Sequence, residues 1–248
     1  MDPKSLSINQ LSKAYRDGSL RPTTVTRIYL DSIKSDCSYR LVTERRALEQ
    51  ASRAEENFRA GITTGPLQGI PIALKDLMDT KGDVTSAGSR VLANRPPAAQ
   101  DCPAAARLEV AGAVFLGKTN MTELAFSGVG INPHFGTPGN ALDPALIPGG
   151  SSSGSGVAVA GQAACAAIGS DTGGSVRIPA AFNAIVGLKV TDKLLPTVGV
   201  VPLSTTLDTL GPMTRTVADV WTLLLALSAR APEELAQADR PMTLLVPT

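Results

Sequence analysis

The sequence predicts a single α/β domain with a helical N-terminal layer, and three observations favour it. Two short apolar runs, residues 69–74 and 113–116, have the length of buried strands. Residues 104–112, which lie between these runs, have helix-like spacing. The first 62 residues contain polar segments with helical spacing, as expected of a solvated covering layer. Strands that alternate with helices indicate an α/β core whose parallel strands are buried between helices.

Further helices are predicted, some with a clear start or stop. Pro22 suits the first turn of one helix, and Gly61 suits the end of another. These predicted helices span residues 8–17, 23–36, 44–60 and 217–229. We expect one domain over residues 1–248, with the helical layer at 1–62, the core motifs at 63–230, and a polar tail at 231–248 in which 244–246 resemble the start of a strand.

Composition narrows the classes of function. The 248 residues include 23 Lys and Arg against 22 Asp and Glu, a net charge of +1, which argues against a broad nucleic-acid interface. With 43% hydrophobic and 18% charged residues, the chain has the composition of a folded protein. Its 23 glycines and 4% aromatic residues indicate close backbone packing instead of an aromatic-rich core.

The N-terminus and the cysteines indicate a cytoplasmic protein without a metal site. The first residues are polar, so we expect no secretory signal, and the longest apolar stretch, residues 156–169, is too short to span a membrane. The single histidine and the widely spaced cysteines do not form a zinc motif, and we expect no cofactor. The cysteines are Cys37, Cys102 and Cys165.

Two glycine-rich motifs match known patterns without the context that those patterns need. Residues 112–119 fit a P-loop, but their interior, Ala-Val-Phe-Leu, is typical of a strand and not of a phosphate-binding loop. Residues 150–154 fit the G-x-S-x-G nucleophile elbow, but the one histidine, His134, precedes them. A Ser-His-Asp triad in hydrolase order is therefore excluded, while the order with His134 first stays open. We interpret His134 as a structural loop residue.

A third pattern points to serine chemistry. Serine-rich and glycine-rich loops occupy residues 149–156 and 169–175, and each by itself is compatible with a packing turn. A serine nucleophile needs a base, and a lysine whose pKa is lowered by burial can serve when no histidine is placed to do so. Lys75, at the end of an apolar strand, is the best candidate. Residues 172–175 have the composition of an oxyanion hole, a set of backbone N–H donors for a developing negative charge.

These residues together resemble the amidase signature family, over about residues 8–226. The motifs that carry the resemblance are Gly69 to Asp76, Gly117 to Met121, Pro148 to Ser155, Gly169 to Ala180, Val186 to Lys189 and Ser204 to Met213. The resemblance implies a mixed central sheet covered by helices, which is the amidase signature fold. It also explains residues 112–119 as a family segment unrelated to nucleotides.

The resemblance also implies a Ser–cis-Ser–Lys triad. Ser175 would be the nucleophile, Ser151 the bridging serine after a cis peptide bond, and Lys75 the neutral base. The backbone N–H groups of Thr172, Gly173, Gly174 and Ser175 would form the oxyanion hole, with Ser152, Asp171 and Arg177 in supporting roles.

The sequence departs from the family pattern in two places. Family members are usually longer, so we expect the C-terminal part of the usual fold, which completes the sheet and shapes the pocket, to be missing from this sequence. Lys189-Val190-Thr191 also stands where the family commonly has Lys-Pro-Thr.

The expected function is hydrolysis of a linear carboxylic amide to an acid and ammonia or an amine, through a serine acyl-enzyme. Two alternatives stay open: an amidotransferase subunit of the same family, and a half-length chain that keeps the fold but has impaired turnover. The expected partner is a small-molecule amide, without nucleic acid or membrane. An exposed apolar sheet would favour homo-oligomers.

Overall fold

A computed structural model describes residues 2–33 and 37–229, and within them the chain forms one six-stranded sheet with helices packed against it. The strands are β1 (Tyr39–Val42), β2 (Pro71–Lys75), β3 (Val114–Thr119), β4 (Ala166–Asp171), β5 (Val186–Gly187) and β6 (Thr209–Thr214). The helices are α1 (Ile8–Arg16), α2 (Pro22–Ser32), α3 (Glu44–Arg59), α4 (Pro103–Val110), α5 (Ser153–Ala160), α6 (Arg177–Phe182) and α7 (Val217–Ser228). Short 3₁₀ turns complete the assignment.

The sheet is mixed, with strand order β1-β3-β2-β4-β6-β5. The central strand β2 pairs in parallel with both β3 and β4, while β1, β6 and β5 are added antiparallel. Every residue of β2, β3, β4 and β6 is buried, as expected for strands covered by helices on both faces. The predicted α/β class and the mixed sheet implied by the resemblance are both confirmed.

The predicted strands and helices lie close to the observed ones. The run 69–74 corresponds to β2, and the run 113–116 corresponds to the first half of β3, which continues to Thr119. The strand therefore fills the interior of the P-loop-like segment, so that segment is no phosphate-binding loop. Each of the five predicted helices is present with ends shifted by a few residues. Residues 34–36 of the second and the strand-like residues 244–246 lie outside the described part.

Four of the described strands were not predicted, for identifiable reasons. The edge strand β1 is partly exposed and short, and β5 has only two residues, so neither has a buried-strand pattern. β4 is made largely of Ala, Gly and Ser, and β6 contains Gly211 and Pro212. Small residues and proline are depleted in strands, and here the neighbouring strands determine the conformation.

The helices that the structure describes include none with the length and hydrophobicity needed to cross a lipid bilayer.

The start of α5 is packed so closely that Gly154 is required there. A Cβ at this position would lie 2.2 Å from the Ser38 carbonyl oxygen and 2.6 Å from the Asn120 nitrogen. Both are backbone atoms, which cannot move aside as a flexible side chain can. The contact joins α5 to the residue that follows β3, since the Gly154 N–H donates to the Asn120 carbonyl oxygen at 3.0 Å.

We therefore expect Gly154→Ala to lower the free energy of unfolding by about 2 kcal/mol or more, since overpacking outweighs the higher helix propensity of alanine. Chemical denaturation monitored by circular dichroism measures this change. Gly173→Ala is the matched control, because a Cβ at Gly173 meets no atom within 4 Å. Equal stability of the two variants would contradict the packing argument.

Candidate active site

Lys75 is the last residue of β2 and its side chain is completely buried. Its Nζ donates hydrogen bonds to Ser151 Oγ at 2.7 Å and to Ser170 Oγ at 2.9 Å. The parallel strands β2 and β4 place Lys75 and Ser170 at the same end of the sheet, and Ser151 lies just before α5. This is the carboxyl end of the parallel strands, where open α/β sheets commonly bind ligands.

Burial lowers the pKa of Lys75 from 10.5 to about 7, against the opposing effect of the carboxylates of Asp171 and Asp208. The cost of removing the ammonium from water is the larger effect, and it favours the neutral amine. Near pH 7 a substantial fraction of Lys75 is thus neutral. A neutral lysine amine can accept a proton from the hydroxyl group beside it.

Ser151 and Ser175 lie on two loops that are hydrogen-bonded to each other. The Gly150–Ser151 peptide bond is cis, as the resemblance implied. The Ser152 N–H donates to the Ser175 carbonyl oxygen at 3.1 Å, and Ser152 Oγ lies 3.3 Å from both the nitrogen and the carbonyl oxygen of Ser170. Ser151 is fully buried, whereas Ser175 retains 8% of its accessible surface. Ser175 is thus the more accessible of the two serines.

Asp171 organises the loop that carries Ser175. Its carboxylate accepts hydrogen bonds from the Gly174 N–H at 2.8 Å, from the Val176 N–H at 3.2 Å, and from Nε and an Nη of Arg177, both at 2.9 Å. Burial raises the pKa of Asp171, but the Arg177 guanidinium and the backbone N–H groups outweigh it and hold the pKa below its ordinary value. Asp171 is therefore an ionised anchor for the loop.

The Asp171 contact corrects one part of the predicted oxyanion hole. The Gly174 N–H is directed at Asp171 and is not available to a ligand. Within the described residues, the backbone N–H groups of Thr172, Gly173 and Ser175 form no hydrogen bond with the protein. Gly174 has a φ of 135°, which favours glycine, and Gly173 borders open space. These three N–H groups can serve as donors to a ligand.

Two residues of the site were not named individually in the sequence analysis. Ser170 binds the Lys75 amine, and Asp208 accepts a short hydrogen bond from the Thr172 hydroxyl. Both belong to motifs that carried the family resemblance. No local pattern distinguishes them from strand or turn residues, because their contacts connect distant parts of the chain.

A second buried lysine, Lys118, is already paired. Its Nζ lies 3.2 Å from Asp76 Oδ1 and donates to Thr85 Oγ1 at 2.8 Å. Burial lowers the pKa of Lys118, while the adjacent Asp76 carboxylate favours its charged form. Lys75 is therefore the better candidate for a base.

The structure does not bring His134 to the two serines. One ring nitrogen lies 3.0 Å from Glu123 Oε2, on a partly exposed loop. No hydrogen bond joins the imidazole to Ser151 or Ser175 in the part of the chain that the structure describes. The alternative with a histidine first in the triad is thus unsupported, and the described residues contain no group of ligands suited to a metal ion.

Known proteins share the sequence of most of this chain. The sequence profile of the Amidase family matches residues 24–246. The chain is 40% identical over 241 residues to a glutamyl-tRNA(Gln) amidotransferase subunit of Levilactobacillus brevis, and the match covers 97% of this chain and 48% of that protein. It is 45% identical over 195 residues to the corresponding subunit of a Synechococcus strain, covering 79% of this chain and 38% of that protein.

Solved structures give the same result. The peptide amidase of Stenotrophomonas maltophilia superposes with a TM-score of 0.86 at 37% identity, over 98% of this chain and 52% of that one. An amidase family protein of Bacillus anthracis gives a TM-score of 0.85 at 34% identity, over 93% and 48%. The chain spans about half the length of these relatives. Sequence profile, relatives and fold agree, and the chain belongs to the amidase (amidase signature) family.

Proposed function

We propose that this chain carries the catalytic centre of an amidase that hydrolyses a linear carboxylic amide through a serine acyl-enzyme. The observation that supports it most directly is the fully buried contact of 2.7 Å between Lys75 Nζ and Ser151 Oγ. In this proposal Ser175 is the nucleophile, Ser151 relays protons, and Lys75 in its neutral form is the base.

Acylation begins with two coupled proton transfers. The neutral Lys75 amine accepts the Ser151 proton, and Ser151 accepts the Ser175 proton as Ser175 Oγ bonds to the carbonyl carbon. The backbone N–H groups of Thr172, Gly173 and Ser175 stabilise the negative charge on the carbonyl oxygen. The Ser151 hydroxyl then protonates the amide nitrogen and regains a proton from Lys75, so the carbon–nitrogen bond breaks, the amine leaves and Lys75 is neutral again.

Deacylation uses the same groups with water in place of the amine. Water loses a proton through Ser151 to Lys75 and attacks the ester carbon. Lys75 then returns the proton through Ser151 to Ser175 Oγ as the ester bond breaks and the carboxylic acid leaves. Asp171 and Arg177 support this cycle by fixing the loop, without exchanging protons.

Acyl capture by hydroxylamine tests the proposal. We expect primary amides of short alkyl or aryl acids to release ammonia, and added hydroxylamine to divert the acyl group from acid to hydroxamate. Both products are measured colorimetrically. Ammonia release without hydroxamate or a trapped acyl adduct would contradict the acyl-enzyme. A folded protein without ammonia release would support the alternative of a half-length chain with impaired turnover.

A second candidate is an amidotransferase subunit, because several curated relatives carry that description at about 40% identity. Such a subunit would use the same serine chemistry to release ammonia for a partner. A net charge of +1 does not indicate the broad basic surface that tRNA binding needs. Glutaminase activity that appears only after partner subunits are added would favour this candidate over the independent amidase.

A further inference from the structure

The carboxylate of Asp208 accepts hydrogen bonds from two separate segments of the chain at the candidate active site. One oxygen accepts the hydrogen bond from the Thr172 hydroxyl. The other accepts the N–H groups of Leu203 and Ser204 at 2.8 Å and 3.0 Å. The carboxylate therefore ties the first residue of the Ser175 loop to the turn that precedes β6.

Asp208 also lies near the lysine. Ser170, which accepts a hydrogen bond from Lys75 at 2.9 Å, lines the same small cavity as Thr172 and Asp208. This cavity connects Asp208 to Lys75 through Ser170, and the Asp208 charge favours protonated Lys75, as the Asp171 charge does more strongly. Because the protein interior screens charges less than water does, the Asp208 charge affects the proton equilibrium of Lys75.

The other charged groups around Lys75 are already paired. On β4 the Asp171 carboxylate, which also favours protonated Lys75, is paired with Arg177 at 2.9 Å. At the β2–β3 end of the sheet, Asp76 pairs with Lys118 at 3.2 Å. The start of α5, which supplies the Ser151 side of the site, contributes serines and glycines and no charge. Among the ion pairs of the described residues none involves Asp208, so its charge, unlike those of Asp171 and Asp76, has no cationic partner.

We propose that Asp208 is a positioning residue that fixes Thr172 at the start of the oxyanion loop and supplies a negative charge, without a cationic partner of its own, that acts on Lys75. The inference rests on the proposed function, since it assumes that Lys75 acts as a base. Its two effects are separable: the hydrogen bond to Thr172 holds the N–H donors, and the charge favours protonated Lys75. Removing only the charge makes the neutral lysine available at lower pH.

The test measures the pseudo-first-order rate of covalent labelling by an alkyl fluorophosphonate between pH 5 and 10. In the parent the rate falls on the acid side as Lys75 becomes protonated. For Asp208→Asn we expect this acid limb to move to lower pH by roughly 0.5 to 1, with a lower plateau rate. Thr172→Val removes the hydroxyl and keeps the charge, so we expect a lower plateau with an unmoved acid limb.

Two further variants complete the design. Leu203→Lys places a cation beside Asp208 from a side chain that is 38% exposed and lines the same cavity, and we expect its acid limb to shift in the same direction. Leu203→Lys tests the effect of the Asp208 charge on Lys75 if Asp208→Asn does not fold. Asp31→Asn, an exposed carboxylate on α2, is the control for loss of charge and should leave the profile unchanged.

The outcomes separate this inference from the proposed function. If the parent is labelled, but the acid limb of both Asp208→Asn and Leu203→Lys lies at the same pH as in the parent, the role of the charge is overturned. An unchanged plateau in Thr172→Val overturns the role of the hydrogen bond. A parent that forms no adduct at Ser175 overturns the proposed function itself, and this inference with it.

Discussion

Replacing Ser175 with alanine is expected to abolish covalent labelling by a fluorophosphonate. Such a probe bonds to an activated serine oxygen and expels fluoride, so intact mass spectrometry of the parent should show one added phosphonyl group. Ser175→Ala lacks the oxygen and should keep its unmodified mass. Turnover should fall on the order of 10⁶-fold, the scale seen when a nucleophilic serine is removed from another serine hydrolase.

The position of Ser175 is the physical reason for this expectation. Its residual exposure lets a probe reach it, whereas Ser151 and Ser152 are fully buried. The loop around it presents N–H groups that would stabilise the phosphonyl oxygen as they would an oxyanion. Probe reaction therefore reports the nucleophile and the donors in one measurement.

Ser153→Ala is the matched control. Ser153 belongs to the same serine-rich segment, is buried, and its Oγ has no hydrogen-bond partner among the described residues, so removing it costs no hydrogen bond. This variant should be labelled at the parental rate. Labelling that survives in Ser175→Ala, or that disappears equally in Ser153→Ala, would refute the assignment of Ser175 as nucleophile.

The strand β2 and its terminal lysine illustrate what the sequence can predict. The apolar run that forms β2 is a local pattern, and Lys75 at its end is unusual because a charged residue in a buried position needs a reason. The serine-rich loops were also visible, since glycine and serine cluster there. Local composition thus indicated Lys75 and the two loops, while the family resemblance singled out Ser151 and Ser175 within those loops.

The contacts between these residues depend on the topology and could not be predicted from local patterns. The bond from Lys75 to Ser170 spans 95 residues and requires β2 and β4 to be neighbours. Nothing in the sequence around Ser170 indicates that pairing. Likewise, the glycine content of residues 172–175 predicted four available N–H groups, but the carboxylate of Asp171 occupies the one from Gly174. Competition between a ligand and the protein for the same donor becomes visible only in three dimensions.

Lys75→Met is expected to lower the labelling rate by about 10² to 10⁴-fold at pH 8, the usual contribution of a general base. Methionine keeps most of the volume of the lysine side chain and removes its amine. Because burial disfavours the ammonium, the native state gains nothing from a charged Lys75, and the methionine variant should remain folded. Thermal unfolding checks that the lost labelling is not a loss of structure.

The pH dependence of the parent gives the sign of the effect. With a pKa of about 7, Lys75 is mostly protonated below that pH and mostly neutral above it. The labelling rate should fall about tenfold for each pH unit below 7 and level off above pH 8. In Lys75→Met this acid limb should disappear along with the activity, since the group that titrates is gone.

Lys75→Arg distinguishes a role of Lys75 as a base from a role of its positive charge. Arginine stays protonated throughout the accessible pH range, so it can donate to Ser151 but cannot accept its proton. If Lys75 acts as a base, the arginine variant should be as impaired as the methionine variant and lack the acid limb. If a positive charge beside Ser151 were what matters, arginine would preserve the rate and methionine would not. Parental labelling in Lys75→Arg would therefore exclude proton transfer to Lys75 while leaving Ser175 as nucleophile.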